Sequence, residues 1–249
     1  MKRILSSLLL TNTVVVTCLL PLTALAADTP TISGSGTTTV EATFVAGSEK
    51  IPLVEPTDPN TEPHDLPDKN GSTSSKGPLA LVYVAKDLSF GGHNTISATD
   101  QRYKVDSKNS SLWDGNVVFE IGDERGDATQ GWNLQVSGVP MKADQATIKG
   151  ATITFKNGDV RNNKADSETP GTKDMPLSVT GITPQDKPIN LAQEGSATNF
   201  LVADAGKGMG MTTYLFTPDN VSLLVPGSQA QAGTYTTNLN WTLTSGPKQ

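Results

Sequence analysis

Residues 131–137, which read GWNLQVS, are the stretch that decides the fold of this chain. Because successive side chains of a β-strand point to opposite faces of a sheet, Trp132 and Leu134 would lie on one face and Asn133 on the other. Glycines bound the stretch on both sides, as is typical of a strand that enters and leaves through turns. The pattern predicts a half-buried strand with an apolar inner face.

The same pattern returns in residues 235–244, which read YTTNLNWTLT. In strand geometry Tyr235, Trp241 and Leu243 fall on one face and Thr242 falls on the other. This second stretch predicts a half-buried antiparallel strand with an aromatic inner face. We refer to the two Trp-x-Leu tripeptides as the first and the second motif.

From residue 79 onward, short runs of β-forming residues alternate with turn signals. Residues 146–155, for example, end just before Asn157-Gly158, a dipeptide that favours tight turns. No stretch keeps a helical period, and regularly spaced short strands are the signature of an all-β sandwich or barrel. The predicted fold class is therefore all-β: an antiparallel β-sandwich or barrel-like domain that follows a flexible Pro/Asp-rich segment.

The sequence predicts four successive parts. Residues 1–26 read as a secretory signal, with a basic start, an apolar run and an Ala-x-Ala cleavage site. Residues 27–55 contain one N-terminal strand, expected at 39–46. Residues 56–78 are expected to be a flexible Pro/Asp/Ser-rich loop or tether, because they hold too few aliphatic residues to offset the entropy of ordering. Residues 79–249 form the β domain. No second apolar run and no Leu-Pro-x-Thr-Gly sorting motif follows, so no membrane or covalent anchor is expected.

Charge and cysteine content exclude several classes of protein. The chain has 19 Lys+Arg and 25 Asp+Glu, and loss of the signal would remove only basic residues, so the mature chain is acidic. Nucleic acid is not an expected partner, because binding phosphates requires a cationic face. Cys18 lies in the signal without the small residue that lipidation favours before it. The mature chain would have no thiol, which excludes a disulfide framework or a Cys-based metal site and suits a Gram-positive cell.

The densest cluster of charges precedes the first motif: Asp123, Glu124 and Arg125, followed by Gly126. Paired carboxylates can serve as acid and base in glycoside hydrolysis. Acids and one arginine in a glycine-punctuated loop are more typical of a solvated turn with an internal ion pair. Such a turn could also fix the angle at which the motif strand begins. We therefore predict a supporting role for Asp123, Arg125 and Gly126, and no catalytic residue.

Other candidates for chemistry are weak. His64 and His93 are the only imidazoles, and neither has the spacing of a metal-ligand pair. Residues 206–210, GKGMG, lack the phosphate-loop pattern and read as a flexible connection. The acidic residues within 58–68 lack EF-hand spacing, which leaves weak Ca²⁺ binding open. No metal ligand, no cofactor and no enzymatic activity are predicted.

Two interpretations of the motif tryptophans stay open. Both could be core residues, each burying about 200 Å² with its indole N–H hydrogen-bonded. Both could instead line a groove and stack on sugar rings of a glycan. The aliphatic residue two positions after each tryptophan favours the core, and the two interpretations coexist if one ring edge remains open.

Four blocks of sequence occur in a characteristic order. They are GPLAL leading to LSFG (residues 77–91), DERG followed by GWNLQV (123–136), GATITFKNG (150–158) and GTYTTNLNWTLT (233–244). Together they resemble the WxL family of bacterial surface proteins. A single Trp-x-Leu tripeptide is common, but two of them in these contexts and in this order are specific.

The resemblance implies a secreted, non-catalytic surface protein of low-GC Gram-positive bacteria that attaches non-covalently to peptidoglycan through its WxL domain. Larger WxL proteins, a membrane-anchored partner and host extracellular matrix are implied as further partners. The alternative is an adhesin or assembly subunit that binds host matrix or another surface protein. The residues predicted to bind or to form the motifs are Trp132, Asn133, Leu134, Trp241, Thr242 and Leu243, with Asp123, Arg125, Gly126 and Tyr235 in support.

Overall fold

The computed structural model describes residues 41–43, 47, 49–65, 71, 73–126, 130–164, 167–168, 177–191 and 196–246. Their regular structure is β, apart from short 3₁₀ turns such as Pro218–Asn220. The strands are β1 (Leu79–Val84), β2 (Gln101–Lys104), β3 (Val117–Asp123), β4 (Trp132–Gly138), β5 (Met141–Ala143), β6 (Ala146–Ile148), β7 (Thr152–Phe155), β8 (Asp159–Asn162), β9 (Ser167–Glu168), β10 (Ser178–Val179), β11 (Ile182–Pro184), β12 (Ile189–Asn190), β13 (Thr198–Ala203), β14 (Gly210–Phe216), β15 (Val221–Val225) and β16 (Leu239–Ser245). They belong to one unit, Phe44–Gln249. Among the described residues, no helix has the length and hydropathy needed to cross a membrane.

The strands form three larger sheets and one hairpin. The first sheet has the order β1-β3-β14-β8, the second β16-β4-β13-β11-β10-β9 and the third β12-β7-β15-β2, while β5 pairs with β6. Neighbouring strands are antiparallel throughout. The predicted all-β, antiparallel fold is confirmed.

One aromatic cluster joins the three sheets into a common core. The ring of Phe119 on β3 lies 4.9 Å from Phe200 on β13 and 5.8 Å from Phe155 on β7, between ring centroids. Trp241 on β16 packs 4.7 Å from Phe119 and 4.8 Å from Phe200. Edge-to-face and tilted aromatic pairs contribute about 0.5–1.5 kcal/mol each beyond the burial of their area. The cluster therefore fixes how the three sheets close on one another.

Two predicted strands differ from the observed ones. The strand predicted over residues 146–155 divides into β6 and β7, because Gly150 between them adopts a left-handed backbone with φ +74°. The strand predicted over residues 235–244 begins only at Leu239, which leaves Tyr235 before β16. Asn157 forms the predicted turn with φ +50°. That turn leads from the third sheet to the first and closes no hairpin, since β7 and β8 do not pair.

Residues 49–65 cover part of the first sheet. Ile51 is 2% exposed and packs with apolar residues of β1 and β14. The Thr213 hydroxyl on β14 donates a hydrogen bond of 2.8 Å to the carbonyl oxygen of Pro56. The described part of the predicted loop 56–78 thus contacts the β domain. The predicted domain boundaries stay predictions, and most of the strand expected at 39–46 lies outside the described residues.

Candidate functional site

The two Trp-x-Leu motifs lie side by side in the second sheet. β4 pairs with β16 on one edge and with β13 on the other. In this antiparallel register Leu243 is directly opposite Leu134, and Trp241 is opposite Val136. The apolar residues of both motifs therefore share one face of the sheet, the face that turns toward the core.

Trp132 is an interior residue. Its side chain is 0% exposed, and its indole Nε1 donates a hydrogen bond of 3.0 Å to the carbonyl oxygen of Gly208. Gly208 has φ +82°, and a Cβ atom on it would lie 2.3 Å from Trp132 Nε1. The glycine run 206–210, expected to be a flexible connection, thus supplies one wall of the tryptophan pocket. A buried indole cannot contact an external ligand, so the core interpretation holds for Trp132.

Arg125 fastens the ends of three strands. Its guanidinium binds Asp123 at the end of β3 through two hydrogen bonds of 2.8 and 2.7 Å. The same group donates to the carbonyl oxygen of Gly131 before β4 at 2.7 Å and to the Ser245 hydroxyl of β16 at 2.5 Å. The predicted internal ion pair is present and is largely buried, with the Asp123 side chain 0% exposed and that of Arg125 15% exposed. Glu124 and Gly126 of the same turn are exposed, as predicted for a solvated turn. We call this arrangement the Arg125 clamp.

The clamp occupies the carboxylate of Asp123. Both carboxylate oxygens of Asp123 accept hydrogen bonds from Arg125, one of them also from its backbone N–H at 3.2 Å. Gly126 follows with φ +72° and completes the turn. The arrangement supports the strands that carry both motifs.

The outer face of β4 is also closed. The side-chain amides of Asn133 and Gln135 donate to the Asn199 Oδ1 atom on β13, at 3.0 and 2.8 Å. Asn133 is 0% exposed and Gln135 is 9% exposed. Thr242, the polar residue of the second motif, is exposed. The polar residue of the first motif is therefore part of a buried amide network.

Two adjoining cavities of about 350 and 310 Å³ run along the same side of the domain as the second motif. They share Leu88, Phe90, Met141 and Tyr235 in their walls, and Trp241 lines the second cavity. We call the combined depression the groove. One wall is the segment 85–96, and the other is the segment 230–241 that leads into β16.

Sequence reasoning placed two residues of the groove, Tyr235 and Trp241, and missed others. Phe90 lies in a block that resembles the family but was not assigned a site role. Ile96 is 54% exposed, the one large hydrophobic side chain so open among the described residues. The signal that could have found Phe90 is an aromatic residue in a loop, beside the Gly91-Gly92 pair, since loops carry a large share of binding residues.

A second cluster of polar groups lies between residues 49–65 and the turn before β3. His64 Nδ1 is 2.7 Å from Glu55 Oε2, and His64 Nε2 is 4.0 Å from Asp114 Oδ2. The hydrogen bond that His64 donates to the Glu55 carboxylate raises the pKa of this exposed histidine. Burial acts to raise the pKa of Glu55, but hydrogen bonds from His64 and Thr57 hold that pKa below its usual value.

Three ligand atoms of this cluster, one each from Glu55, His64 and Asp114, lie within 4.8 Å of one another, so the cluster could in principle hold a cation. The two carboxylates, however, face opposite ring nitrogens of the histidine. A single ion would take only one ring nitrogen, whereas a protonated imidazole donates from both. The geometry fits an imidazolium between carboxylates.

Glu120 is the most deeply buried acid of the first sheet. It lies between Tyr83 and Thr213 in the strand register and is 0% exposed. Its carboxylate oxygens have no hydrogen-bond partner within bonding geometry among the described residues. Burial raises the pKa of Glu120 to about 8. The backbone of Val54 acts to lower this pKa, but its effect is weaker than that of burial. With a pKa of about 8, the protonated, neutral form of Glu120 is the main form at pH 7.

The comparisons with known proteins define the class of the chain. A family model described as a surface cell wall-binding domain matches residues 31–247. The chain therefore belongs to the WxL family. No curated protein and no solved structure matches it. The family is one of binding domains at the cell surface and is not a known enzyme family.

Proposed function

We propose that the chain is a secreted protein that attaches non-covalently to the peptidoglycan of a Gram-positive cell wall and catalyses no reaction. The observation that carries the proposal is the family match over residues 31–247, which makes the chain a surface cell wall-binding protein. The predicted signal at residues 1–26 supports secretion. The predicted supporting residues are consistent with binding without catalysis, because the Asp123 carboxylate is occupied by Arg125.

In this proposal the two motifs have different tasks. Trp132 acts as a structural residue, since it is fully buried and hydrogen-bonded. Trp241 packs against the core aromatic residues on one side and lines the groove on the other. The paired strands therefore build and orient the groove, and the residues that line the groove contact the peptidoglycan of the cell wall.

The test is co-sedimentation of the mature protein with purified Gram-positive peptidoglycan. The variants are Trp241→Ala and, as a matched control in the same motif, Thr242→Ala, whose side chain is exposed on the opposite face. We expect wild type and Thr242→Ala to sediment and Trp241→Ala to sediment less. Circular dichroism and thermal unfolding must show that each variant is folded. Failure of the folded wild type to sediment would refute peptidoglycan attachment.

The adhesin or assembly-subunit alternative makes a different prediction. If the chain is held by a partner surface protein or a membrane-anchored protein, it stays on cells after peptidoglycan is removed enzymatically. If it is held by the wall, it is released. An assay for soluble fragments from labelled peptidoglycan tests the absence of catalysis, and release of fragments by the pure protein would contradict it.

A further inference from the structure

We propose that the groove is the wall-binding site and that it takes an uncharged glycan strand of N-acetylated hexosamines. This inference rests on the proposed function, and it names both the place on the protein and the part of the polymer that is bound. The alternative ligands in the cell wall are the stem peptides of peptidoglycan and the anionic polymers.

The first argument is that one side of the groove, formed by segment 85–96, is pre-organised for binding. The backbone N–H of Ser111 donates to the carbonyl oxygen of Asp87 at 2.8 Å, and that of Asp106 donates to the carbonyl oxygen of Ser89 at 2.7 Å. The Ser110 hydroxyl accepts the backbone N–H of Ser89 at 2.9 Å. These bonds hold the residues on either side of Leu88 and lead into Phe90, so the wall needs little ordering when a ligand binds.

The opposite side of the groove, formed by segment 230–241, is also held by hydrogen bonds. Thr236 and Lys142 exchange two backbone hydrogen bonds of 2.9 Å, which tie the segment before β16 to β5. The Thr237 hydroxyl donates to the carbonyl oxygen of Val139 at 2.5 Å. The Tyr235 hydroxyl accepts the backbone N–H of Gln231 at 3.1 Å, which orients the tyrosine ring. The groove is thus a fixed depression between two anchored walls.

The lining has the chemistry of a sugar site. Phe90, Tyr103, Tyr235 and Trp241 are all half-buried, so each offers part of a ring to a ligand. A pyranose ring presents C–H groups on its faces and hydroxyl groups at its rim, and an acetamido group adds one donor, one acceptor and a methyl group. The rings and the exposed Ile96 side chain suit the apolar parts of such a ligand.

The polar groups of the groove suit the rest of the ligand. Gln231 lines one half and Asn238 the other, and within the described part of the chain their side-chain amides make no hydrogen bond. An amide can donate to and accept from an acetamido group at the same time. The threonines on either side of Tyr235, Thr234 and Thr236, also line the groove.

Charge separates the candidate ligands. Within the part of the chain that the structure describes, Lys86 and Asp87 are the only charged residues that line the two cavities, and they are adjacent in sequence and opposite in charge. An anionic cell-wall polymer would require a cationic groove, and stem peptides carry several ionised groups that one lysine and one aspartate leave largely unpaired. A neutral sugar backbone matches the lining, and the acidic chain as a whole repels a polyanion.

The test is a calorimetric titration of the full mature protein with the β-1,4-linked tetramer of N-acetylglucosamine. We expect saturable binding, and we expect Tyr235→Ala to raise the apparent Kd by about tenfold because the stacking surface is lost. Tyr235→Phe is the matched control: it keeps the ring and loses only the hydroxyl that accepts the Gln231 N–H, so its Kd should rise clearly less than that of Tyr235→Ala. Gln231→Ala should raise the Kd by about threefold to tenfold, with Gln229→Ala as its control, since Gln229 is in the same loop but outside the groove. Urea unfolding must show that each variant is folded.

Sedimentation with intact peptidoglycan separates the two levels of the proposal. If wild type sediments but does not bind the tetramer, peptidoglycan attachment stands and the glycan-strand inference is refuted. If wild type binds the tetramer and Tyr235→Ala binds it equally well, the groove is refuted as the site. If wild type neither sediments nor binds the tetramer, peptidoglycan attachment itself fails. Binding that is lost in Tyr235→Ala and kept in Tyr235→Phe supports the inference.

Discussion

The packing of Gly208 against Trp132 of the first motif offers a sharp test of the structure: substitution of Gly208 by alanine. A Cβ atom at this position would lie 2.3 Å from Nε1 and 2.9 Å from Cε2 of Trp132, and 2.6 Å from the Cβ atom of Ala203. None of these atoms is at the end of a flexible side chain, so the tryptophan or the backbone must move. The indole hydrogen bond to the Gly208 carbonyl oxygen, 3.0 Å long, would then be strained or lost.

Three costs add at this position. A left-handed backbone costs a residue other than glycine about 1–2 kcal/mol. Overpacking a closed pocket costs about 1–3 kcal/mol. A buried N–H group left without its acceptor costs about 1–3 kcal/mol. Because these costs overlap, we expect Gly208→Ala to lower the free energy of unfolding by about 3–6 kcal/mol.

Gly206 provides a matched control two residues away. It has the same φ of +82°, but a Cβ atom there would meet nothing within 4 Å. Gly206→Ala should therefore show only the backbone cost of about 1–2 kcal/mol. Urea denaturation at fixed pH gives both values, and thermal unfolding should shift by about 2–4 °C for each kcal/mol in a domain of this size. Equal destabilisation by the two variants would refute the proposed packing of Gly208 on Trp132.

Three further predictions concern buried and titrating charges. Arg125→Lys keeps the charge but loses the bidentate geometry of the clamp, so it should lower the free energy of unfolding by about 2–3 kcal/mol. The control is Lys104→Ala, which removes an exposed ion pair and should lower it by under about 1 kcal/mol. If the two variants unfold at the same urea concentration, the clamp is contradicted. Glu120→Gln should raise the free energy of unfolding at pH 7 by about 3 kcal/mol, because the wild-type carboxyl is protonated when folded and ionised when unfolded. This advantage should fade as the pH falls toward the ordinary carboxyl pKa of 4.5 and level off above about pH 8, and a pH-independent difference would argue against a neutral Glu120. His64 should titrate by NMR with a pKa above 6.5, and this pKa should fall in Glu55→Gln. The stabilising contribution of His64 is complete below pH 6.5 and disappears as the pH rises through the raised pKa. An unchanged pKa in Glu55→Gln would show that the contact with Glu55 does not raise it.

Alternation along the two motif strands predicted their apolar inner faces. It did not predict that β4, expected to be half-buried, is buried on its polar face as well, where Asn133 and Gln135 bind Asn199. In β4 and β16 the apolar residues occupy every second position, and in the structure those positions face the core. The ion pair between Asp123 and Arg125 was also open to prediction, because the two residues are only two positions apart in a tight turn. Local geometry of this kind follows from the spacing of residues within one strand or turn, so it can be predicted without knowing the neighbouring strand.

Pairing and closure could not be predicted in the same way. A period of two tells which face of a strand is buried, but it does not tell which strand lies beside it. The contact of Gly208 with Trp132 depends on a loop from a distant part of the chain, and the sequence of that loop suggested flexibility. The groove depends on two segments without periodicity, around Phe90 and Tyr235, which only the folded sheets bring together.

The order of strands around β4 has a consequence for how the chain folds. Asn133 and Thr244, which are hydrogen-bonded across β4 and β16, are 111 residues apart in sequence. A long loop must therefore close before this pairing forms, and domains rich in such distant contacts fold in milliseconds to seconds, more slowly than helical bundles. Until β16 arrives, one side of β4 presents unpaired backbone groups that another extended chain could occupy. A protein that crosses a membrane unfolded would have to keep that strand free of other partners until the chain through Ser245 has been delivered.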